Sequence, residues 1–147
     1  MVDLASERIR VDASADRCFD VAVDFESYPE WARDVKSATV VERDSEGRGT
    51  RVEFRAAALG KSIRYVLEYD YSTAPGGFSW RLLEGDMLRR LDGTYRFEPE
   101  DDGSTRIHYD LAVELSMPLP GLVKRRASGL IMGNALKELK KQVELVA

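Results

Sequence analysis

From Val35 to Leu115 apolar and polar residues alternate in short runs separated by turn residues, the mark of strands that bury one face and wet the other. The clearest run is Lys61 to Tyr71, where Ile63, Tyr65, Leu67, Tyr69 and Tyr71 alternate with Ser62, Arg64, Val66, Glu68 and Asp70. Val35–Glu42, Thr50–Ala57, Phe78–Leu82, Leu91–Phe97 and Ile107–Leu115 read the same way. Asp44-Ser45-Glu46-Gly47, Leu59-Gly60, Ala74-Pro75-Gly76-Gly77, Glu84-Gly85-Asp86 and Glu100-Asp101-Asp102-Gly103 supply the turns. Ahead of this region, Glu7–Val11 predicts a short first strand, and Ser14 an N-cap for a helix carrying Cys18, Phe19, Val21 and Ala22. Asp24 to Trp31 predicts a second short helix or turn pair with an aromatic face of Phe25, Tyr28 and Trp31. Beyond Pro118 and Pro120 the period lengthens. Met132, Leu136, Leu139, Val143 and Val146 fall at helical spacing, and Val123, Ala127, Leu130 and Ile131 point elsewhere around the same axis. A helix from Leu119 to Ala147 would be about 40 Å long at about 1.5 Å per residue, enough to cross a small sheet.

These elements predict an α+β fold. Short connections favour an antiparallel meander. A sheet with one apolar face must bury it, and the last helix is the only element long enough to cover it. The expected architecture is a strongly bent seven-stranded antiparallel sheet wrapped around a long carboxy-terminal helix, with two short helices after the first strand, forming one domain over residues 1–147.

Composition narrows the function. Hydrophobic residues at 44% suffice for a core, and a net charge of −4 argues against general nucleic-acid binding. The charge is uneven: from Leu119 onward six basic residues face two acidic ones. Such a basic helix can be a solvated outer face or can meet anionic lipid or a partner. No apolar run approaches the ~20 residues of a membrane span, and the polar amino terminus is not a signal peptide, so a cytoplasmic location without stable membrane insertion is expected, as a monomer or weak homodimer. One cysteine, Cys18, and one histidine, His108, far apart, offer neither a zinc site nor a Cys–His dyad, so neither a metal nor a cofactor is expected.

Alternation also assigns the inner face of the sheet. It holds Phe54, Ile63, Tyr65, Leu67, Tyr69, Trp80, Leu82, Leu91, Tyr95, Tyr109 and Leu111, with Met132 and Leu136 facing it from the helix. Counting back by two from Leu91 places Arg89 there as well. An arginine in an apolar cavity needs a carboxylate, a phosphate, a ligand oxygen or water. Alternatively, Arg89 sits at a strand end or beside a bulge and reaches solvent, since Met87-Leu88 blurs the register. Gly129 and Gly133, one turn apart, leave room either for a ligand or for close packing. His108 falls on the outer face.

The order of elements resembles the helix-grip superfamily that includes START domains, the birch-pollen-allergen type and the bacterial polyketide cyclase/dehydrase and lipid-transport proteins. The resemblance covers nearly the whole chain. It is carried by Asp24-Phe25-Glu26-Ser27-Tyr28-Pro29-Glu30-Trp31, by Arg64-Tyr65-Val66-Leu67-Glu68-Tyr69, by Leu91-Asp92-Gly93-Thr94-Tyr95-Arg96-Phe97, and by the Pro-Leu-Pro-Gly entry to the last helix. It implies a cavity between sheet and helix but no catalytic motif that maps onto this chain residue by residue, since such folds host many functions. The expected function is binding or transport of a hydrophobic small molecule of lipid, polyketide or isoprenoid type, through Phe54, Tyr65, Trp80, Leu82, Arg89, Leu91, Tyr109, Met132 and Leu136. The alternatives are a polyketide cyclase or aromatase, in which Arg89 and a tyrosine such as Tyr65 would polarise a carbonyl, and a macromolecular interaction module. The enzyme reading lacks a general base on the predicted inner face.

Overall fold

A computed structural model describes residues 3–58, 61–116 and 135–146. The chain runs β1 (Asp3–Val11), α1 (Ala15–Ala22), a 3-10 turn (Phe25–Ser27), α2 (Tyr28–Trp31), β2 (Val35–Arg43), β3 (Gly49–Ala58), β4 (Lys61–Asp70), β5 (Gly77–Gly85), β6 (Leu88–Pro99) and β7 (Thr105–Leu115). Residues 135–146 are helical and form α3. The predicted helix positions from 119 to 134, including Met132, Gly129 and Gly133, and the turn at Leu59-Gly60 lie outside the described residues.

The seven strands form one open antiparallel sheet in the order β1-β7-β6-β5-β4-β3-β2. β2 through β7 are a simple meander, as their short turns require. β1 pairs with β7 along its whole length, from Asp3 opposite Val113 to Val11 opposite Thr105. The segment from α1 to α2 therefore crosses from one edge of the sheet to the other. Ser14 caps α1 by accepting from the Arg17 N–H, and Asp16 lies in the first turn, where its charge suits the helix dipole. The buried face of α1 is Cys18, Phe19 and Ala22. Phe19 meets Tyr71, Phe78 and Phe97 edge-on and closes that end of the sheet's inner face. Cys18 is fully buried, and that burial pushes its thiol pKa up.

Leu136, Leu139 and Val143 of α3 belong to the same core cluster as the inward residues of the sheet. The sheet thus grips the carboxy-terminal helix in a helix-grip fold. Polar ties fix the helix as well. The Glu144 carboxylate accepts from the Asp12 N–H at 2.8 Å and from Lys140 Nζ at 2.9 Å, while Lys140 Nζ donates to the Arg10 carbonyl at 2.7 Å. Hydrogen bonds from the Asp12 backbone and from Lys140 hold Glu144 below its usual pKa. A depressed carboxylate pKa contributes stability that is present above the unfolded value near 4.3 and is lost as pH falls through the folded value. Glu144→Ala is expected to lower the melting temperature at pH 7 by about 3–4 °C, for about 1 kcal/mol of partly exposed charge-assisted bonding. The difference from wild type should shrink below about pH 4. Melting curves from pH 7 to pH 3 test this, and a difference that stays constant down to pH 3 would contradict it.

Candidate functional site

Between the sheet, α2 and α3 lies a cavity of about 220 Å³. Its walls are mostly aromatic. Tyr95 and Tyr109 stack at 4.8 Å, Trp80 leans on both, and Phe54 stacks on Tyr65 at 5.4 Å. Tyr28 and Trp31 line it from α2, in contact with each other at 4.9 Å. At the far end Met87, Leu88, Leu91 and Leu115 make the lining aliphatic.

The way β5 and β6 part positions much of this. They pair only from Gly77 opposite Arg96 to Trp80 opposite Gly93. Beyond that point the Asp92 carboxylate, not a backbone carbonyl, accepts the Leu82 N–H, at 3.0 Å. At the parting the Trp80 ring lies on Gly93, so closely that a Cβ there would fall 2.1 Å from Trp80 Cζ2. Glycine is required at 93 for this close approach.

Of the residues expected from sequence to bind a ligand, Phe54, Tyr65, Trp80, Leu91 and Tyr109 line the cavity. Leu82 is half-buried against the core and Leu136 is buried within it, but neither lines the cavity. Arg89 is exposed and does not line it. The reason is a bulge. Leu88 pairs with Leu115 and Arg90 with Glu114, so Arg89 is the extra residue, and the inward positions become Leu88 and Leu91. The arginine therefore meets solvent, and no cation faces the cavity from this strand. A second irregularity follows Leu82 on β5: Leu67 pairs with Leu82 but Val66 with Glu84, which leaves Leu83 as the extra residue.

Residues that alternation does not reach complete the lining. Asp34, an exposed residue in the connection from α2 to β2, and Glu138, on α3, also line the cavity, although neither lies on the inner face of the sheet. Glu138 accepts from the Arg33 N–H at 2.7 Å and so ties α3 to that connection. His108 lies on the outer face, 3.4 Å from Glu98, as its position in the alternation predicts.

The six tyrosines fall into two groups. The Tyr28 hydroxyl donates to the Ala22 carbonyl, and the Tyr71 hydroxyl to the Gly49 carbonyl at 2.6 Å. Tyr65, Tyr69, Tyr95 and Tyr109 all line the cavity, and their hydroxyls make no hydrogen bond to another described residue. Burial pushes the Tyr65 pKa up to about 12 and those of Tyr69, Tyr95 and Tyr109 well above the usual phenol value. At neutral pH the cavity therefore presents phenol O–H groups, able to donate as well as accept. Among the described residues no three His, Cys, Asp or Glu side chains gather as a metal site would need. Nor is any helix among them long and apolar enough to cross a membrane.

A model of the polyketide cyclase/dehydrase and lipid-transport family matches residues 4–144, and the chain belongs to that family. No curated protein matches it. Among solved structures, a START superfamily protein from Mycobacterium smegmatis superposes with a TM-score of 0.91 at 26% identity, covering 98% of this chain and 99% of the other. A protein from Thermus thermophilus gives 0.82 at 26% identity, covering 99% of each chain. The Zhui aromatase/cyclase from Streptomyces sp. R1128 gives 0.85 at 13% identity, over 98% of this chain and 94% of that one, a likeness of fold alone. The family's description joins polyketide cyclases and dehydrases with lipid transport.

Proposed function

We propose that this protein holds a hydrophobic small molecule bearing several oxygen acceptors, as a carrier or sensor, in the cavity between sheet and α3. The carrying observation is the division of the tyrosines: those whose hydroxyls lack a partner among the described residues are four that line the cavity. A hydroxyl that faces the cavity with no protein partner is free to donate to a ligand carbonyl or ether oxygen placed against it. The aromatic walls add apolar contact and stacking, as small-molecule sites usually do around a few directing polar groups. Phe54, Tyr65, Trp80, Leu91 and Tyr109 would carry the binding, with Tyr69 and Tyr95 beside them.

The test pairs native mass spectrometry of the purified protein, for a retained lipophile, with titration of Tyr95→Phe and Tyr109→Phe. Against a hydroxyanthraquinone each variant should lose about 0.5–1.5 kcal/mol, roughly 2- to 10-fold in affinity. Affinity for an unsubstituted hydrocarbon such as pyrene should stay as in wild type, and the melting temperature should not fall. Equal losses for both probes would remove the role of the hydroxyls.

A cyclase is the second reading, favoured by two acidic residues, Asp34 and Glu138, among the residues that line the cavity with the phenol donors. A poly-β-ketone thioester would be its substrate. Turnover lost in Asp34→Asn would support it, and turnover equal to the buffer background in wild type would end it.

A further inference from the structure

Met87 is the sole non-glycine residue with a positive φ among the described residues, at +61°, whereas Gly47 and Gly103 hold the other positive values. It is the second residue of Asp86-Met87, the two-residue link between β5 and β6. A non-glycine side chain is uncommon and disfavoured in the left-handed region, where glycine, asparagine and aspartate are the usual occupants. Here the position holds methionine.

The surroundings hold this conformation in place. The Asp86 N–H donates to the Arg64 carbonyl at 2.8 Å, and the Asp86 carboxylate accepts from the Arg64 N–H at 3.0 Å, fixing one side of the link to β4. The Met87 carbonyl accepts from the Ser116 N–H at 2.9 Å, fixing the other side just past β7. Between these anchors Met87 is half-buried and lines the cavity at its aliphatic end, with Leu88 and Leu115 paired beside it. An unfavourable backbone that the neighbouring structure enforces is a reason to look for a role of the side chain it presents. A methionine is also the apolar side chain best able to change shape against different ligands.

We propose that Met87 determines ligand size: its thioether closes the aliphatic end of the cavity and limits how far a ligand extends from the tyrosine cluster toward the β5–β6 link. This rests on the ligand-binding reading above and adds to it a residue that selects among ligands. Glycine would suit the backbone better at this position and would leave the end open.

The experiment titrates wild type, Met87→Gly, Met87→Asn and Met87→Leu with a two-ring naphthalene probe and a four-ring pyrene probe, alongside melting curves. Both Gly and Asn tolerate the left-handed conformation, so the fold should hold. The expected result is a melting temperature no lower than wild type in Met87→Gly and Met87→Asn. The ratio of pyrene to naphthalene affinity should rise at least 5-fold in both, and Met87→Leu should keep the wild-type ratio. An unchanged ratio in both small variants overturns the proposal. So does a clear fall in melting temperature in both, which would make Met87 a packing residue of the core. Wild type binding neither probe would instead sink the ligand-binding reading, and this inference with it.

Discussion

Gly93→Ala is expected to unfold the protein at a temperature about 10 °C lower and to abolish probe binding in the cavity. The added Cβ would lie 2.1 Å from Trp80 Cζ2 and 2.5 Å from Cε2, so the indole must leave its position. It has nowhere to go at low cost. Tyr69, Phe78, Tyr95 and Tyr109 surround it with ring centroids between 5.4 and 5.9 Å away, and it is only 9% exposed. Overpacking a filled core costs about 1–3 kcal/mol where side chains can adjust. Here the adjustment displaces a whole indole from an aromatic cluster, which places the loss at about 3 kcal/mol, or about 10 °C for a domain of this size. The displaced ring would also enter the cavity it now lines. Melting curves and the tryptophan emission maximum read both effects. A melting temperature within about 2 °C of wild type and an unchanged emission spectrum would show that the ring does not rest on Gly93.

The residues that alternation placed correctly on the cavity wall share one circumstance: they sit in regular stretches of strand. Phe54, Tyr65, Tyr95 and Tyr109 each face a partner in unbroken antiparallel register, Phe54 with Tyr65 and Tyr95 with Tyr109. Arg89 failed because one bulged residue reverses the phase of everything before it. A local signal existed, since Leu88-Arg89-Arg90-Leu91 spaces its apolar residues by three, which no unbroken strand does with both inward. Leu82 pairs with Leu67 in the same register as Trp80 with Tyr69 and packs against the core on the predicted face, although it does not reach the cavity; the irregularity on this strand pair falls just after it, at Leu83. Asp34 and Glu138 could not be found by a two-residue period because neither lies on a strand. Their approach to the cavity is set by how α2 and α3 dock, which is tertiary information. Met87 was hidden for a different reason: nothing in Asp-Met announces a residue in the left-handed region, where glycine or asparagine is the usual occupant. The helix-grip arrangement itself was legible because a one-sided sheet has so few ways to be covered.

Leu139→Ala tests that covering directly and is expected to cost about 3 kcal/mol. Leu136, Leu139 and Val143 step by three and four along one side of α3, and they are 3%, 1% and 0% exposed. The cavity occupies part of the space between helix and sheet, so the apolar contact that holds this part of the helix is concentrated in these few side chains. Leu→Ala changes in cores cost about 2–5 kcal/mol, the upper values arising where the surroundings cannot collapse into the space left behind. The core cluster it belongs to is built largely of strand side chains fixed in register, which argues against collapse. The polar ties from Glu138, Lys140 and Glu144 would keep the helix in place, so the loss should come as lower stability of an intact fold. Urea unfolding should therefore show a lower midpoint with an unchanged slope. Leu139 does not line the cavity, so the folded variant should bind probe with wild-type affinity. Saturating ligand should then return part of the lost stability, by about 2.7 kcal/mol at a hundred times Kd. A midpoint equal to that of wild type would mean that the sheet does not depend on this helix. A lowered slope, or loss of binding in step with stability, would mean that the helix and the cavity form as a single unit and that the ligand site cannot be altered apart from the core.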